Sequence, residues 1–317
     1  MASSKQAVPR KRRGFIFEMR RNGSYYLMIL PAAFFLFAFA YVPLPGIIIA
    51  FMDYNFRDGF RSPFVGFANF RFYFTSPMAV RTTFNTLYIN FLQLIWINLV
   101  GVLFAIFLSE LRGKFAKRFY QNAIFLPFFF SVIIISQLVT RIVFVDGMGI
   151  ANQIIAFFGG EPRIWSRDPG PWRWIVVLTN TWRQAGWMTI IYLATITGIN
   201  PELYESSALD GASRLRQIWH IMMPMLVPTI LIMMLLAIGG ALRGDFGLIH
   251  SITQGIDRPH LLRHVDIIET FVFRAIRPGM NFSVAAAIGL YQSLVGFILV
   301  FGSNALVKLY EKDYALF

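Results

Sequence analysis

The chain has 317 residues, of which 56% are hydrophobic, 17% aromatic and only 14% charged, with a formal net charge of +13. Soluble domains carry about 45–50% apolar and about 25% charged residues, so this composition, with a mean hydropathy of +0.58, excludes an ordinary soluble globule and implies a polytopic membrane protein. The 0 Cys exclude disulfides, thiolate metal sites and thiol nucleophiles.

Residues 1–26 form a basic tail, with Lys5, Arg10, Lys11, Arg12, Arg13, Arg20 and Arg21 against Glu18 alone. Next to a membrane span this reads as a solvated cytoplasmic segment, so the positive charge implies no nucleic-acid partner. Residues 27–317 read as one transmembrane domain. Leu27 to Phe51 is the first span, kinked at Pro31, Pro43, Pro45 and Gly46. Asp53 to Arg81 is a polar, aromatic loop, Thr82 to Ser109 the second span, and Glu110 to Gln121 a short basic turn. Asn122 to Val145 is the third span, interrupted by Pro127, and Asp146 to Pro171 a Gly- and Pro-rich loop. Trp172 to Ile199 is the fourth span, and a polar island, 200–224, follows it. Met225 to Leu242 is the fifth span. Arg243 to Phe282 is a long polar stretch with a short amphipathic helix near Asp266 to Ala275; Ser283 to Val307 is the sixth span and Lys308 to Phe317 a tail. Each apolar run reaches the ~17–25 residues that cross hydrocarbon. The expected fold is therefore all-α, with six transmembrane helices. Lys5, Lys11, Lys114, Lys117, Lys308 and Lys312 all fall on one side, which sets both termini in the cytoplasm. Trp165, Trp172 and Trp174 read as an outer interfacial belt, and Ala286, Gly289, Ser293, Gly296 and Ser303 as a small-residue stripe that lets helices approach, a second subunit included.

The motifs of covalent chemistry are missing. No G-x-x-x-x-G-K-[ST] loop, H-E-x-x-H or G-x-S-x-G is present, so the chain neither cradles a nucleotide by that route nor reads as an enzyme. His260 and His264 lie four apart, a spacing that suits a metal on a helix, but no third ligand accompanies them, and no metal site is assigned. The spans hold no Asp or Glu, which weighs against an ion- or proton-coupled secondary sugar carrier acting alone, the main alternative. Two arginines lie within apolar runs. Arg141 is one turn from Asp146 and is expected to pair with it. Arg183 sits with Asn180, Gln184 and Trp187, a mixture of hydrogen-bonding groups and flat apolar faces that suits a sugar; the competing reading is that Arg183 snorkels, or pairs with a carbonyl or loop acid.

The polar island has dense local signals. Asn200 can cap a helix that opens on Pro201; Glu202 and Glu205 suit the positive end of its dipole. Asp210-Gly211 reads as a stop and bend. Ser213 can cap a second helix with an apolar stripe of Leu215, Ile218, Trp219 and Met222, leaving Arg214, Arg216 and Gln217 off it. Such a rigid elbow suits the docking of a soluble partner. Here the sequence resembles a family. Glu205-Ser206-Ser207-Ala208-Leu209-Asp210-Gly211-Ala212, followed by Ile218 and Pro224, is similar to the "EAA" loop of ABC-importer permeases, with Ser206-Ser207 in place of the usual Ala-Ala. Gly186-Trp187 with Ile190 to Ala194, Tyr41 to Phe51, and Val65-Gly66 with Asn69-Phe70 resemble the subfamily that imports oligosaccharides and polysaccharide fragments, maltose and alginate importers among them. The resemblance implies that 200–224 is a coupling loop between the fourth and fifth spans, with Glu205, Ser206, Ser207, Ala208, Asp210, Gly211, Ala212 and Arg214 at an ATPase. It also implies a second homologous permease, two ATPase subunits that bind ATP and Mg in place of this chain, an extracytoplasmic solute-binding protein, and residence in a bacterial cell membrane. Arginines on the outer loops (Arg57, Arg61, Arg258, Arg263, Arg274, Arg277) suit an acidic oligosaccharide or an acidic binding protein equally.

Overall fold

A computed structural model describes residues 22–253, 259–279 and 281–310. The basic tail through Arg21, Arg258, and the C-terminal tail from position 311, Lys312 included, lie outside the described residues, as do the side chains of His260 and Arg277. Among the described residues the fold is all-helical, apart from one isolated antiparallel bridge, Met52 to Phe64. The chain divides into two compact units, Met1–Ile49 and Ala50–Phe317.

In the first unit helix α1 (Gly23–Leu36) begins within the stretch read as tail and carries Pro31 inside it. It widens into a π turn at Phe37–Tyr41 and then tightens into 3-10 geometry at Leu44–Phe51. Pro43 and Pro45 have no N–H to continue the α ladder, which accounts for the change.

The second unit is built on α3 (Pro77–Glu110), which follows the short α2 (Ala68–Thr75). α3 starts earlier than its apolar run, because Ser76 caps the Met78 N–H at 3.2 Å and Pro77 opens the first turn. It packs along α7 (Trp172–Thr197). Gly101 permits this: a Cβ there would lie 2.7 Å from the Met188 Cβ. Where α3 and α7 meet the elbow, Val102, Ala105, Leu108, Tyr192, Ile196, Met222 and Leu226 form one buried cluster. The exposed side of α3 is apolar, with Phe84, Leu87, Phe91, Ile95, Leu99, Leu103 and Phe107. Its buried side carries the helix's polar residues, Thr82, Asn85, Thr86, Gln93 and Asn98, among apolar ones such as Ile89, Val102, Ala105 and Leu108. That placement is what lipid demands, since apolar groups gain nothing by hiding from it and polar groups must find partners inside.

Among the described residues four helical stretches are long and apolar enough to cross a membrane: Gly23–Phe51, Pro77–Glu110, Arg214–Ile238 and Phe282–Leu309. The expected third span is broken. α4 (Lys114–Phe129) and α5 (Val132–Leu138, extended by a π turn to Val143) meet at 101°, and only as a bent pair do they count as a fifth. Phe130 is extended, and Ser131 caps a new helix through the Ile134 N–H. α4 also absorbs most of the basic turn expected at 110–121. α7, with Arg173, Asn180, Arg183 and Gln184, is not among the four.

Two loops are also corrected. The Gly- and Pro-rich segment holds α6 (Ile150–Phe157). The long polar stretch folds into α11 (Phe246–Thr253), α12 (Pro259–Val265) and α13 (Ile268–Gly279). Its apolar residues are core: Leu248, Ile252, Leu261, Val265 and Ile267 pack with Ile89, Trp165, Trp172 and Val176. Trp165 and Trp172 are therefore buried rather than interfacial; the indole of Trp165 donates to Asn152 Oδ1 at 2.9 Å and that of Trp172 to the Trp165 carbonyl at 2.8 Å. Trp174 alone of the expected belt is exposed. Within the small-residue stripe on α14 (Phe282–Tyr310), Gly296 serves an internal contact, since a Cβ there would lie 2.8 Å from the Gly239 carbonyl oxygen.

Gly186 is the tightest of these crossings: a Cβ would stand 2.5 Å from the Ile124 carbonyl oxygen and 2.8 Å from the Phe125 Cα, both backbone atoms that cannot step aside. Gly186→Ala should lower the stability of the purified protein by about 1–3 kcal/mol through overpacking. Gly289→Ala, with nothing within 4 Å of its Cβ position, should leave the melting temperature unchanged in the same thermal scan.

Candidate functional site

The polar island forms the elbow read from sequence. α8 (Pro201–Leu209) is capped by Asn200, whose Oδ1 accepts from the Glu202 N–H at 3.1 Å. It stops at Asp210, and Gly211 takes φ +76°, the left-handed region that costs a β-branched residue most. The N–H groups of Gly211 and Ala212 return to the carbonyls of Ala208 (3.1 Å) and Ser207 (2.9 Å). Ser213 then caps α9 (Arg214–Gln217), which runs through a π turn at Ile218–Met222 into α10 (Met223–Ile238).

Sequence periodicity misassigned the second arm. Leu215 and Trp219 are exposed, whereas Gln217 is buried. Its Nε2 donates to the Tyr204 carbonyl (3.1 Å) and to Ser207 Oγ (2.9 Å), and its Oε1 accepts from Arg214 Nη1 (3.2 Å). One side chain thus ties both arms together. No periodic signal marks it, because its partners are backbone and hydroxyl groups across the bend. Tyr204 packs on the Leu108–Tyr192–Met222 cluster, and burial, then the nearby Glu110, pushes its phenol above the ordinary value. Glu205, Ser206, Ala208, Asp210 and Arg214 are exposed; Ser207 and Ala212 are half-buried. At the tip Leu209 is 90% exposed, and Leu203, Leu215 and Trp219 are exposed as well. The elbow is thus a braced knob with an apolar tip and a polar flank, suited to fill a groove on another protein.

Asn180, Arg183, Gln184 and Trp187 share one face of α7, at i, i+3, i+4 and i+7. The structure joins the first two. Arg183 Nη2 donates to Asn180 Oδ1 at 2.8 Å and its Nε to the same oxygen at 3.2 Å. A third partner comes from outside the helix: Arg183 Nη2 meets Asp245 Oδ2 at 2.7 Å. Asp245 precedes α11, and its other oxygen accepts from the Leu248 N–H at 2.9 Å. It was legible only as a loop acid near the end of the fifth span. Trp187 is half-exposed and stacks on Phe128 of α4, with ring centroids 5.4 Å apart and planes 15° from parallel. Gln184 is half-buried beside them.

None of these four residues lines the large cleft of the unit, about 1130 Å³ between α3, α10 and α14. Phe84, Tyr88, Gln93, Asn98 and Met188 help to line it, and among the described residues Arg243 is its one charged lining residue. Other expectations change too. Arg141 is exposed, and Asp146 accepts from the Ser166 N–H (2.9 Å) and from its hydroxyl. Of the arginines read as outer-loop anion sites, Arg274 is engaged internally by Asp266, at 2.6 Å, while Arg57, Arg61 and Arg263 are exposed.

Residues 97–312 match the family described as "Binding-protein-dependent transport system inner membrane component". A polygalacturonan/rhamnogalacturonan transport system permease protein of Bacillus subtilis is 36% identical, over 96% of this chain and 93% of its own. The trehalose/maltose transport system permease of Thermococcus litoralis is 29% identical over 73% of this chain and 77% of its own. Among solved structures, a bacterial ABC transporter involved in the import of the acidic polysaccharide alginate superposes with a TM-score of 0.83 at 28% identity, covering 93% of this chain and 99% of that one. The same kind of transporter, solved with an alginate pentasaccharide-bound periplasmic protein, gives 0.84, again at 28% identity, covering 94% and 98%.

Loss of the Gln217 brace should loosen the elbow without unfolding the bundle. Gln217→Leu should raise amide hydrogen exchange at Gly211 and Ala212 about tenfold, the effect of ~1.4 kcal/mol from lost side-chain hydrogen bonds, while α7 amides keep their protection.

Proposed function

The chain belongs to the family of binding-protein-dependent transport system inner membrane components, the permease subunits of ABC importers, and from that premise we propose that its cargo is an oligosaccharide bearing uronate carboxylates. The observation that carries this reading is the α7 face. It offers a guanidinium at Arg183, an amide at Gln184 and a half-exposed indole at Trp187, with the buried Asn180 holding the arginine in place. Those are the groups that meet a carboxylate, hydroxyls and a pyranose ring face. The relatives named for polygalacturonan and for alginate agree with it. The cleft between α3 and α14 suits a sugar less well, because its lining is largely apolar with the single cation Arg243.

In this reading the bent α4–α5 pair and α7 cross the membrane with the four apolar stretches, giving six spans and cytoplasmic termini. The elbow docks on one of two ATPase subunits, which hold ATP and Mg; this chain binds neither and performs no covalent chemistry. A second homologous permease completes the pathway, which lies along the α7 face. A loaded extracytoplasmic binding protein favours the outward state, contacting Phe60 to Tyr73 and Arg243 to Phe282. Closure of the ATPases moves the elbows and exchanges access, and cargo drives this only through its different affinity for the two states. A carrier working alone has no use for a braced apolar knob, so the exposed Leu209 disfavours that alternative.

Three measurements test the reading. Gly211→Val or Glu205→Lys should leave the subunit inserted but abolish co-purification of the ATPase; an intact, transport-competent complex from either variant refutes the docking role. A single cysteine at Ser206, in a chain with no native thiol, should resist an impermeant reagent added outside intact cells and react in inverted vesicles. Trp187→Ala should reduce uptake of the cognate oligosaccharide at least about tenfold, the scale of one lost stacking surface, while the complex still assembles.

A further inference from the structure

We propose that Arg183 is an exchangeable carboxylate receptor: Asp245 holds it in one state, and a carboxylate of the cargo displaces Asp245 during passage. The proposal rests on the uronate reading above and adds to it an internal competitor for the cargo's charged group.

The geometry of the pair points to exchange rather than to a fixed staple. Asp245 grips Arg183 at a single point, one carboxylate oxygen on Nη2 at 2.7 Å. A guanidinium offers five donors in a planar fork, and among the described residues only Nε and Nη2 of Arg183 are engaged, with Nη1 donating to none. A free carboxylate can take the Nη1–Nη2 edge with two parallel bonds, which is stronger than the single contact it replaces. Both partners keep contact with solvent, the side chains being 15% and 26% exposed, so an incoming group can reach the pair and a released Asp245 stays solvated. This differs from Asp266, whose carboxylate is fully buried against Arg274 and Thr270.

Asp245 is also held independently of the arginine. Its Oδ1 caps α11 through the Leu248 N–H, so losing Arg183 does not cost the loop its position. Arg183 is likewise kept aimed by Asn180 after Asp245 leaves. One helical turn from the guanidinium, the half-exposed Trp187, backed by Phe128, presents a flat ring. A cation and an aromatic face four residues apart on one helix fit a hexuronate, with its carboxylate at Arg183 and its ring on Trp187. Because Asp245 lies between α10 and α11, exchange also releases the link between α7 and that connection, so the event that admits the acidic sugar loosens a joint between helices.

The test uses the complete transporter, with its partner permease and ATPases, in nanodiscs without the binding protein. Trigalacturonate and the uncharged galactotriose are titrated onto it. Asp245→Asn keeps an acceptor for the Leu248 N–H and removes the competing charge; it should tighten trigalacturonate binding about tenfold. Asp245→Ser, which retains a capping oxygen, should act in the same direction. Arg183→Gln should weaken trigalacturonate by a similar factor, and the double variant Arg183→Gln with Asp245→Asn should bind as weakly as Arg183→Gln alone. Galactotriose should respond to none of them. Weaker or unchanged trigalacturonate binding in both Asp245 variants overturns the exchange while leaving the cargo assignment standing. A wild-type transporter that prefers galactotriose, and whose trigalacturonate affinity ignores Arg183→Gln, overturns the cargo assignment and the exchange with it.

Discussion

Asn85 is the point on which the end of the bundle away from the elbow depends. Its Nδ2 donates to the carbonyls of Asp266 (3.0 Å) and Arg263 (3.4 Å), and its Oδ1 accepts from Arg173 Nη2 at 2.7 Å. Arg173 in turn donates to the His264 carbonyl and lies over the rings of Phe84 and Tyr88. The next residue of α3, Thr86, accepts at Oγ1 from the Ile268 N–H, and just over a turn further on Asn90 donates to the carbonyls of Ala241 and Arg243. Thus α3 supplies side-chain partners for backbone groups of two other stretches, 241–243 and 263–268. The cause is general: where water is excluded, each unpaired backbone group costs several kcal/mol. A segment that links spans without a regular ladder of its own must borrow partners, and the polar face of α3 lends them.

The same requirement explains how the long polar stretch after the fifth span becomes core. Two of its acids, Asp266 and Glu269, find partners inside the fold. Asp266 is fully buried, takes the Thr270 hydroxyl and Arg274, and has Arg81 at 3.7 Å. Glu269 is held above the usual carboxylate range by burial, with Gln292 donating to it. With the charges met, Leu248, Ile252, Leu261 and Ile267 are free to pack on Trp172 and Ile89.

This defines what was legible in the sequence. Apolar runs and caps act locally, so the helices near 27–51, 82–109 and 283–307 and the whole cap, stop and bend logic of Asn200, Gly211 and Ser213 were readable. Features decided by partners distant in sequence were not. Gln217 reads as a solvent-facing polar residue until Tyr204 and Ser207 are placed across the bend. Asp245 reads as a loop acid until Arg183 lies 62 positions back along the chain at 2.7 Å. The break in the third span was legible as Pro127 but its right-angle turn was not, because Phe130 and Ser131 carry no comparable signal. The tryptophans misled for the opposite reason: clustered indoles near a span end suit an interface and a core alike, and Asn152 decides between them by receiving the Trp165 N–H.

The bare tip of the elbow also has a bearing on how the subunit fares in the cell. Leu209, Leu215 and Trp219 are all exposed on the elbow, and a copy without the proposed ATPase partner would leave them bare. Contiguous apolar surface of that kind attracts chaperones and proteases, and their triage sets abundance. Under the proposed docking role, the surface that would carry the stroke in an assembled complex also marks an orphan for disposal, so the joint itself would police the stoichiometry of the membrane and ATPase components.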